Sequence, residues 1–245
     1  MEFFWIDTMF PDIRFPRTFN VYSGRDEHDY RDDLVMTREA TETLFQKELI
    51  VQEKIDGANL GLFLDKNGVI HAVKRNTKID LDQPERQFRK LKDWINLNYG
   101  DIYNILDSGK VIFGEWLYSK HSVVYDRLPS YFLCFDIYCL AEQQFHAQHE
   151  VEQILHGTGI KHNPVVFRGH VGDIKELEAM IGPSQFGPGQ MEGVYIRVDG
   201  ERFNESRCKL VHRDFIQTLE DEGRWDAQPM VLNISLDERE RPWAM

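Results

Sequence analysis

The chain has little of what marks a secreted or disulfide-built protein. Its 245 residues include three cysteines, Cys134, Cys139 and Cys208, an odd and unclustered set. Two of them lie in apolar, strand-like runs, so they read as reduced core residues and not as a disulfide or zinc framework. No apolar run approaches the length of a membrane span. The opening Met1-Glu2-Phe3-Phe4-Trp5-Ile6-Asp7 is too short and too acidic for a signal peptide, so the expectation is a cytoplasmic protein with no membrane partner. The nine histidines show no metal-ligand spacing, and there are no internal repeats or low-complexity tracts. Positive charge is also scarce. With 29 basic against 41 acidic residues the formal charge is −12, which argues against a protein that coats nucleic acid by bulk electrostatics.

What is present is an ordinary globular composition, enough to bury one large core or two small ones. Charge is unevenly placed. Between Lys54 and Lys90 the basic residues Lys66, Lys74, Arg75, Lys78, Arg86, Arg89 and Lys90 outnumber the acids, whereas Glu220-Asp221-Glu222 and Asp237-Glu238 make the end acidic. The distribution is that of a local basic groove on an acidic body. A solvated helix face accounts equally well for Arg86, Arg89 and Lys90.

The coarse pattern is mixed α and β. Asp82 is placed to cap a helix in which Phe88, Leu91, Trp94 and Ile95 recur at helical spacing until Asn98-Tyr99-Gly100 ends it, making Trp94 a core residue. Val111-Ile112-Phe113 and Phe132 to Tyr138 read as buried strands, and Gln148 to Leu155 and Ile174 to Ile181 as surface helices. Gly182-Pro183-Ser184-Gln185-Phe186-Gly187-Pro188-Gly189 is the clearest loop, either a plain connection or a flap over a ligand.

The segment that points to chemistry is Lys54-Ile55-Asp56-Gly57-Ala58-Asn59. A K-x-D-G tetrapeptide arises by chance in roughly one chain in twenty of this length at average composition. Set between Leu49-Ile50-Val51 and Leu60-Gly61-Leu62-Phe63-Leu64, it could equally be a tight β-hairpin turn. The segments that follow weigh against the hairpin, each being polar and set on or beside an apolar run. They are Lys74-Arg75-Asn76, Phe113-Gly114-Glu115-Trp116, Phe132-Leu133-Cys134-Phe135-Asp136-Ile137-Tyr138, Met191-Glu192-Gly193-Val194-Tyr195-Ile196 and Arg207-Cys208-Lys209-Leu210-Val211.

In this order the segments resemble the motifs of the covalent nucleotidyltransferases, the superfamily of ATP-dependent polynucleotide ligases and mRNA-capping guanylyltransferases. Within it they most resemble the RNA ligases. His121-Ser122-Val123-Val124-Tyr125-Asp126-Arg127-Leu128-Pro129, leading into Tyr131-Phe132-Leu133, is similar to a stretch of bacterial and viral RNA-ligase-domain proteins, as is Phe15-Pro16-Arg17-Thr18. The resemblance spans about Phe15 to Phe215. It implies an α+β nucleotidyltransferase (adenylylation) domain, two antiparallel sheets with flanking helices around a nucleotide cleft, over residues 1–222. An acidic tail over 223–245 would follow, with no OB-fold domain.

The resemblance also implies the chemistry. Lys54 would attack the α-phosphate of ATP and form lysyl-AMP. AMP would then pass to the 5′-phosphate of an RNA end, and a 3′-hydroxyl would displace it. The attacking amine must be unprotonated, so nearby positive charge, above all a metal ion and other basic groups, is expected to depress the lysine's pKa. Asp56, Glu115 and Glu192 would hold magnesium, with manganese as an alternative, or its water shell; Glu115 has a second candidate role at the ribose. Arg207 and Lys209 would neutralise the α-phosphate in the transition state. Glu53, Asn59 and Arg75 would line the nucleotide site, and Phe135 would stack on adenine. The partners implied are ATP, RNA with 5′-phosphate and 3′-hydroxyl ends, and an end-healing protein.

Three departures or alternatives stay open on the residues. Asp56 stands where RNA ligases of the RNA ligase 2 type and the editing ligases carry histidine, so strand preference is open. Arg207 stands where lysine is usual, keeping the charge but not the geometry. A minimal DNA ligase, another nucleotidyltransferase, or a non-catalytic module that binds nucleotides or RNA ends would share much of the pattern.

Overall fold

Two mostly buried apolar runs organise the chain, and they are not joined as a hairpin. The structure, a computed structural model, describes residues 15–24, 34–75, 77–212 and 230–240. The sequence features at Met1 to Asp7, Asn76, Phe215 and Glu220 to Glu222 lie outside these residues. The Leu49-Ile50-Val51 run becomes β2 (Leu49–Lys54), and the Leu60 to Leu64 run becomes β3 (Ala58–Leu64). β2 pairs with β10 (Val165–Gly169) and β11 (Gly193–Asp199). β3 pairs instead with β4 (Ile70–Lys74) and β6 (Lys110–Trp116). The Asp56-Gly57 turn therefore carries the chain from one sheet into another and leaves Lys54 and Asp56 at the junction. Gly57 is required there, because a Cβ would lie 2.5 Å from Leu117 Cδ2 and 2.9 Å from the Trp116 carbonyl.

The first sheet runs β1 (Phe19–Asn20), β12 (Asn204–Val211), β11, β2, β10. The second runs β5 (Thr77–Lys78), β4, β3, β6, β7 (Phe132–Cys139), β8 (Gln144–Phe145), with β9 (Lys161–His162) also on β7. Both are almost wholly antiparallel; β1 with β12 and β9 with β7 are the parallel exceptions. One layer of core, including Leu49, Val51, Val194, Ile196, Cys208 and Leu210, lies under α1 (Arg38–Leu44) and α5 (Ile174–Ala179), which contribute Leu44 and Leu177. The larger core packs Leu60, Leu62, Ile112, Trp116 and Phe132 against α2 (Leu91–Leu97) and α3 (Tyr99–Asp107), with Val151 and Leu155 of α4 (Gln148–Leu155). Among the described residues no helix is long and apolar enough to cross a membrane.

The strands and helices expected at Val111 to Phe113, Phe132 to Tyr138, Gln148 to Leu155 and Ile174 to Ile181 are all present. Cys134 and Cys208 are buried and all three cysteines are free. Two expectations are corrected. Asp82 caps no helix; its carboxylate is paired with Lys92 at 2.5 Å, and α2 begins at Leu91 after a separate 3-10 turn over Arg86–Phe88. Asn98-Tyr99-Gly100 does not end the helical region either. Asn98 closes α2 and opens α3, whose Ile102, Ile105 and Leu106 are buried at helical spacing. Residues 230–240, polar enough to read as tail, lie against the 117–131 loop, with Leu232 bridging Ser119 and Ser235 bridging Leu128.

The sheets are fastened together by charge. Arg197 of β11 is wholly buried and donates from Nη1 to Asp136 Oδ1 at 2.7 Å and from Nη2 to the His146 carbonyl at 2.6 Å. Arg207 of β12 donates to Asp136 Oδ2 at 2.7 Å, and the Tyr195 hydroxyl reaches the same oxygen at 3.2 Å. Asp136 belongs to β7, so one carboxylate from the second sheet receives three donors from the first. Removing one partner of a buried pair leaves an uncompensated charge, at a cost of about 3–5 kcal/mol. Asp136→Ala should lower the unfolding free energy by about that amount in urea titration; a change within about 0.5 kcal/mol, the range of ordinary surface substitutions, would show that the sheets do not depend on the pair.

Candidate active site between the sheets

Lys54 is the last residue of β2, in register with Gly193, the first residue of β11. Gly193 must be glycine for this edge to close, since a Cβ would stand 2.1 Å from the Leu210 carbonyl oxygen. The residue before it, Glu192, extends its carboxylate to Lys54, with Nζ and Oε2 2.5 Å apart. Their side chains are 23% and 9% exposed, so the pair is largely removed from water while the amine keeps an approach from outside.

Two more carboxylates share this space. Glu115 of β6 is in register with Asn59 of β3; its Oε2 is buried and has no hydrogen-bond partner. An unsatisfied carboxylate oxygen in such a place is costly unless something else meets it. Burial, and the negative charges of Glu192 and Asp56, push the Glu115 carboxyl well above its usual range against the pull of Lys54 and Arg75. Asp56 is oriented by the 117–131 loop. Its Oδ2 accepts from the Ser122 and Val123 amides at 2.7 and 2.8 Å, and its own N–H donates to the Tyr125 hydroxyl oxygen at 2.8 Å.

Without the metal ion that the resemblance implies, the carboxylates dominate the charge balance around the amine. Burial alone would lower the Lys54 pKa, but Glu192, Glu115 and Asp56 together outweigh it and raise it above the ordinary lysine value. Burial also pushes Glu192 up to about 7, although Lys54 opposes it. In the protein alone, the carboxylates hold a proton on Lys54.

The remaining expected residues divide between this cluster and other tasks. Lys209 belongs to it, its charge acting on Glu192. Arg75 acts on Glu115 from an exposed position with φ of 31°, a backbone region that non-glycine residues occupy only when the surroundings enforce it. Arg207, on the same face of β12 as Lys209, is instead committed to Asp136 and to Asn204 Oδ1 at 3.0 Å, with its guanidinium 3.8 Å from the Phe145 ring centroid. Glu53 points away from Lys54. It accepts from the Ser184 hydroxyl at 2.5 Å and the Gln185 amide at 3.0 Å, anchoring the 182–190 loop, which is thus more than a surface connection. Phe135 lies in an aromatic cluster with Phe113, and its nearest ring is Phe15 at 4.7 Å, edge on. Of the basic series proposed for a groove, Lys74 pairs with Glu85, Lys90 with Asp93, and Arg89 with the Tyr118 hydroxyl.

Sequence reasoning gave no role to Tyr125, Ser122, Val123, Asp136 or Arg197. The last two were signalled: a lone Asp in Phe132 to Tyr138 and a lone Arg in Val194 to Val198 are charges in otherwise buried strands, and such charges must be paired. The backbone amides that hold Asp56 left no trace in composition.

Among the described residues no three His, Cys, Asp or Glu side chains form a ready cation cage. What the site offers is Glu192 and Glu115 converging on one amine, with an unpartnered oxygen on Glu115 and Asp56 beside them. Hard-ion donors of this kind, too few to enclose an ion, fit one that keeps several waters and takes further oxygens from a phosphate substrate.

The model of a family described as RNA ligase matches residues 47–211. Among solved structures the chain is similar to an RNA ligase of Naegleria gruberi. Against that protein with pyrophosphate it is 18% identical at a TM-score of 0.57, covering 74% of this chain and 54% of the other. Against a mutant with ATP and manganese it is 18% identical at 0.56, covering 71% and 52%, and against a further such mutant 15% identical at 0.57, covering 85% and 63%. The chain thus spans between half and two thirds of the length of these structures, and at such identities the shared property is the fold. No curated protein matches the chain.

The proton balance is open to direct measurement. In divalent-free buffer at pH 8, acylation of Lys54 by an amine-reactive reagent should be slow, because the neutral fraction falls about tenfold for each unit by which the pKa is raised. Glu192→Gln should accelerate labelling of the Lys54 peptide several-fold, read by mass spectrometry. Equal labelling of the two proteins would show that Glu192 does not hold the proton.

Proposed function

The chain belongs to the RNA ligase family, and from that membership and the geometry of its cleft we propose that it is an ATP-dependent RNA ligase with Lys54 as nucleophile. The carrying observation is the Lys54 amine, semi-accessible, on Glu192 and within reach of the charges of Glu115 and Asp56.

In the first step, the Lys54 Nζ lone pair forms a bond to the α-phosphorus of ATP. The bond from that phosphorus to the bridging oxygen of pyrophosphate breaks, pyrophosphate leaves, and the amine's proton passes to solvent or to a carboxylate. Glu192, whose carboxyl sits near neutrality, is the nearest acceptor. In the second step an oxygen of an RNA 5′-phosphate takes the adenylyl group from Lys54; in the third, a 3′-hydroxyl attacks that 5′-phosphorus and AMP departs. Each step is phosphoryl-group transfer, in which positioning and charge neutralisation carry most of the catalysis.

This chain's residues supply that positioning. Glu192 and Glu115, with Asp56, would hold a divalent cation such as magnesium or manganese. When bound it would neutralise phosphate charge and reduce the pull of these carboxylates on the Lys54 proton. Lys209 faces the same space and would bear on the α-phosphate. Arg75 and Asn59 flank Glu115 and would meet the nucleotide. Phe135, in the aromatic layer behind Arg207, would border the base. Arg207 supports the site from within the inter-sheet ion network, which accounts for arginine at this position: one guanidinium can bind Asp136 and Asn204 at once while lying on an aromatic face.

The test is intact mass after incubation with ATP and magnesium. Wild type should gain one adenylyl group, lost again on treatment with pyrophosphate, and Lys54→Ala should gain none. The rate of adduct formation should rise with pH between 7 and 9, because the attacking amine must first lose its proton. No adduct on protein first cleared with pyrophosphate would make the chain a binding module. Equal sealing of all-DNA and RNA ends by an adduct-forming protein would move the assignment to a DNA ligase, since an enzyme that reads the ribose 2′-hydroxyl must discriminate between them.

A further inference from the structure

Residues 230–240 lie beyond the stretch matched by the family model, yet they are bonded along the length of the 117–131 loop. Lys120 N–H donates to the Val231 carbonyl at 2.8 Å, Ile234 N–H to Tyr125 O at 2.9 Å, and Leu236 N–H to Leu128 O at 2.7 Å. At the centre is Asn233, 2% exposed. Its Oδ1 accepts the Tyr125 N–H at 3.0 Å and its Nδ2 donates to the Leu117 carbonyl at 2.9 Å, while its own N–H donates to Tyr118 O at 3.2 Å. One side chain thus closes the loop between its start and its middle. The far end of the segment is tied by Glu240, which accepts from Ser130 Oγ and Tyr131 N, both at 2.7 Å.

The opposite side of the same loop faces Lys54. Tyr125, whose backbone Asn233 holds, presents its hydroxyl to the Asp56 N–H, and the neighbouring Ser122 and Val123 amides hold the Asp56 carboxylate. Amide bonds to a carboxylate are charge-assisted and directional. Where they point decides where the free Asp56 oxygen stands relative to the amine. We infer that Asn233 is a positioning residue for Asp56, and that the 230–240 segment is a strap that completes the active site from outside the common domain. This rests on Lys54 being the nucleophile.

The strap is tested by a double-mutant cycle with two readouts on the full chain. Hydrogen exchange of the Ser122 and Val123 amides is measured without nucleotide, and the maximal rate of adduct formation with ATP in single turnover, for wild type, Asn233→Ala, Asp56→Ala and the double variant. Asn233→Ala should expose both amides to the level seen in Asp56→Ala. It should lower the maximal rate on the order of tenfold to a hundredfold, the usual effect of a misplacement of about 1 Å, at unchanged half-saturating ATP. In the Asp56→Ala background it should add nothing, because residues acting through one contact are not additive. Val171→Ala, a cavity in the other core layer, should leave both readouts at wild type. Wild-type exchange in Asn233→Ala, or independent losses that multiply, would overturn the inference. If Asn233→Ala does not fold, Asn233→Asp, which keeps the acceptor for Tyr125 and loses the donor to Leu117, enters the same cycle. Absence of any wild-type adduct would sink the nucleophile assignment, while exchange would still decide the strap.

Discussion

The carboxylate of Asp136 is the point on which the two sheets depend. It belongs to β7, and it takes Arg197, Arg207 and the Tyr195 hydroxyl from two strands of the other sheet. A buried ion pair is not in itself a large gain over an apolar contact of the same shape. Its value here is in fixing geometry. Two apolar faces could slide past one another, whereas three directed donors on one carboxylate allow a single register between sheets. That register is what brings Glu115, from one sheet, towards Lys54 and Glu192, from the other.

The cleft is consequently a place where negative charge is concentrated around one ammonium. Three carboxylates on one amine leave the group anionic, with one Glu115 oxygen unsatisfied and Glu192 pushed up to about 7. The same carboxylates raise the Lys54 pKa and so favour its protonated form. Under the proposed reaction, ATP with a hard cation would change that balance, supplying positive charge to the carboxylates and an electrophile to the amine at once.

Around this centre the supporting segments are connected through unremarkable residues. Glu53 lies next to Lys54 in sequence but, on the opposite face of β2, anchors the 182–190 loop through Ser184 and Gln185. Arg127 holds the same loop by donating to the Gly187 carbonyl at 2.7 Å. Asn233 reaches from the end of the described chain to fasten the loop that carries Arg127 and Tyr125. Three segments far apart in sequence therefore share one set of hydrogen bonds centred on the loop that binds Asp56.

Strand and helix identity were legible because burial imposes a period on the sequence. The apolar runs at Val111 to Phe113 and Phe132 to Tyr138, and the amphipathic segments ending at Leu155 and Ile181, fold as their patterns require. The ordered polar segments likewise disclosed the family, and the structure brings Lys54, Asp56, Glu115, Glu192 and Lys209 from them into one cluster. What the sequence could not disclose depends on partners distant along the chain. Asp56-Gly57 between two apolar runs looks the same whether those runs pair with each other or enter different sheets. Asn98-Tyr99-Gly100 looks like a stop, yet packing of Ile102, Ile105 and Leu106 restarts the helix. Arg207 and Lys209 look equivalent on one face of β12, until Asp136 takes the first and leaves the second to the cleft. Local periodicity and residue chemistry are properties of the sequence alone; which carboxylate meets which cation, and so which way a lysine's proton is held, is decided only when the sheets come together.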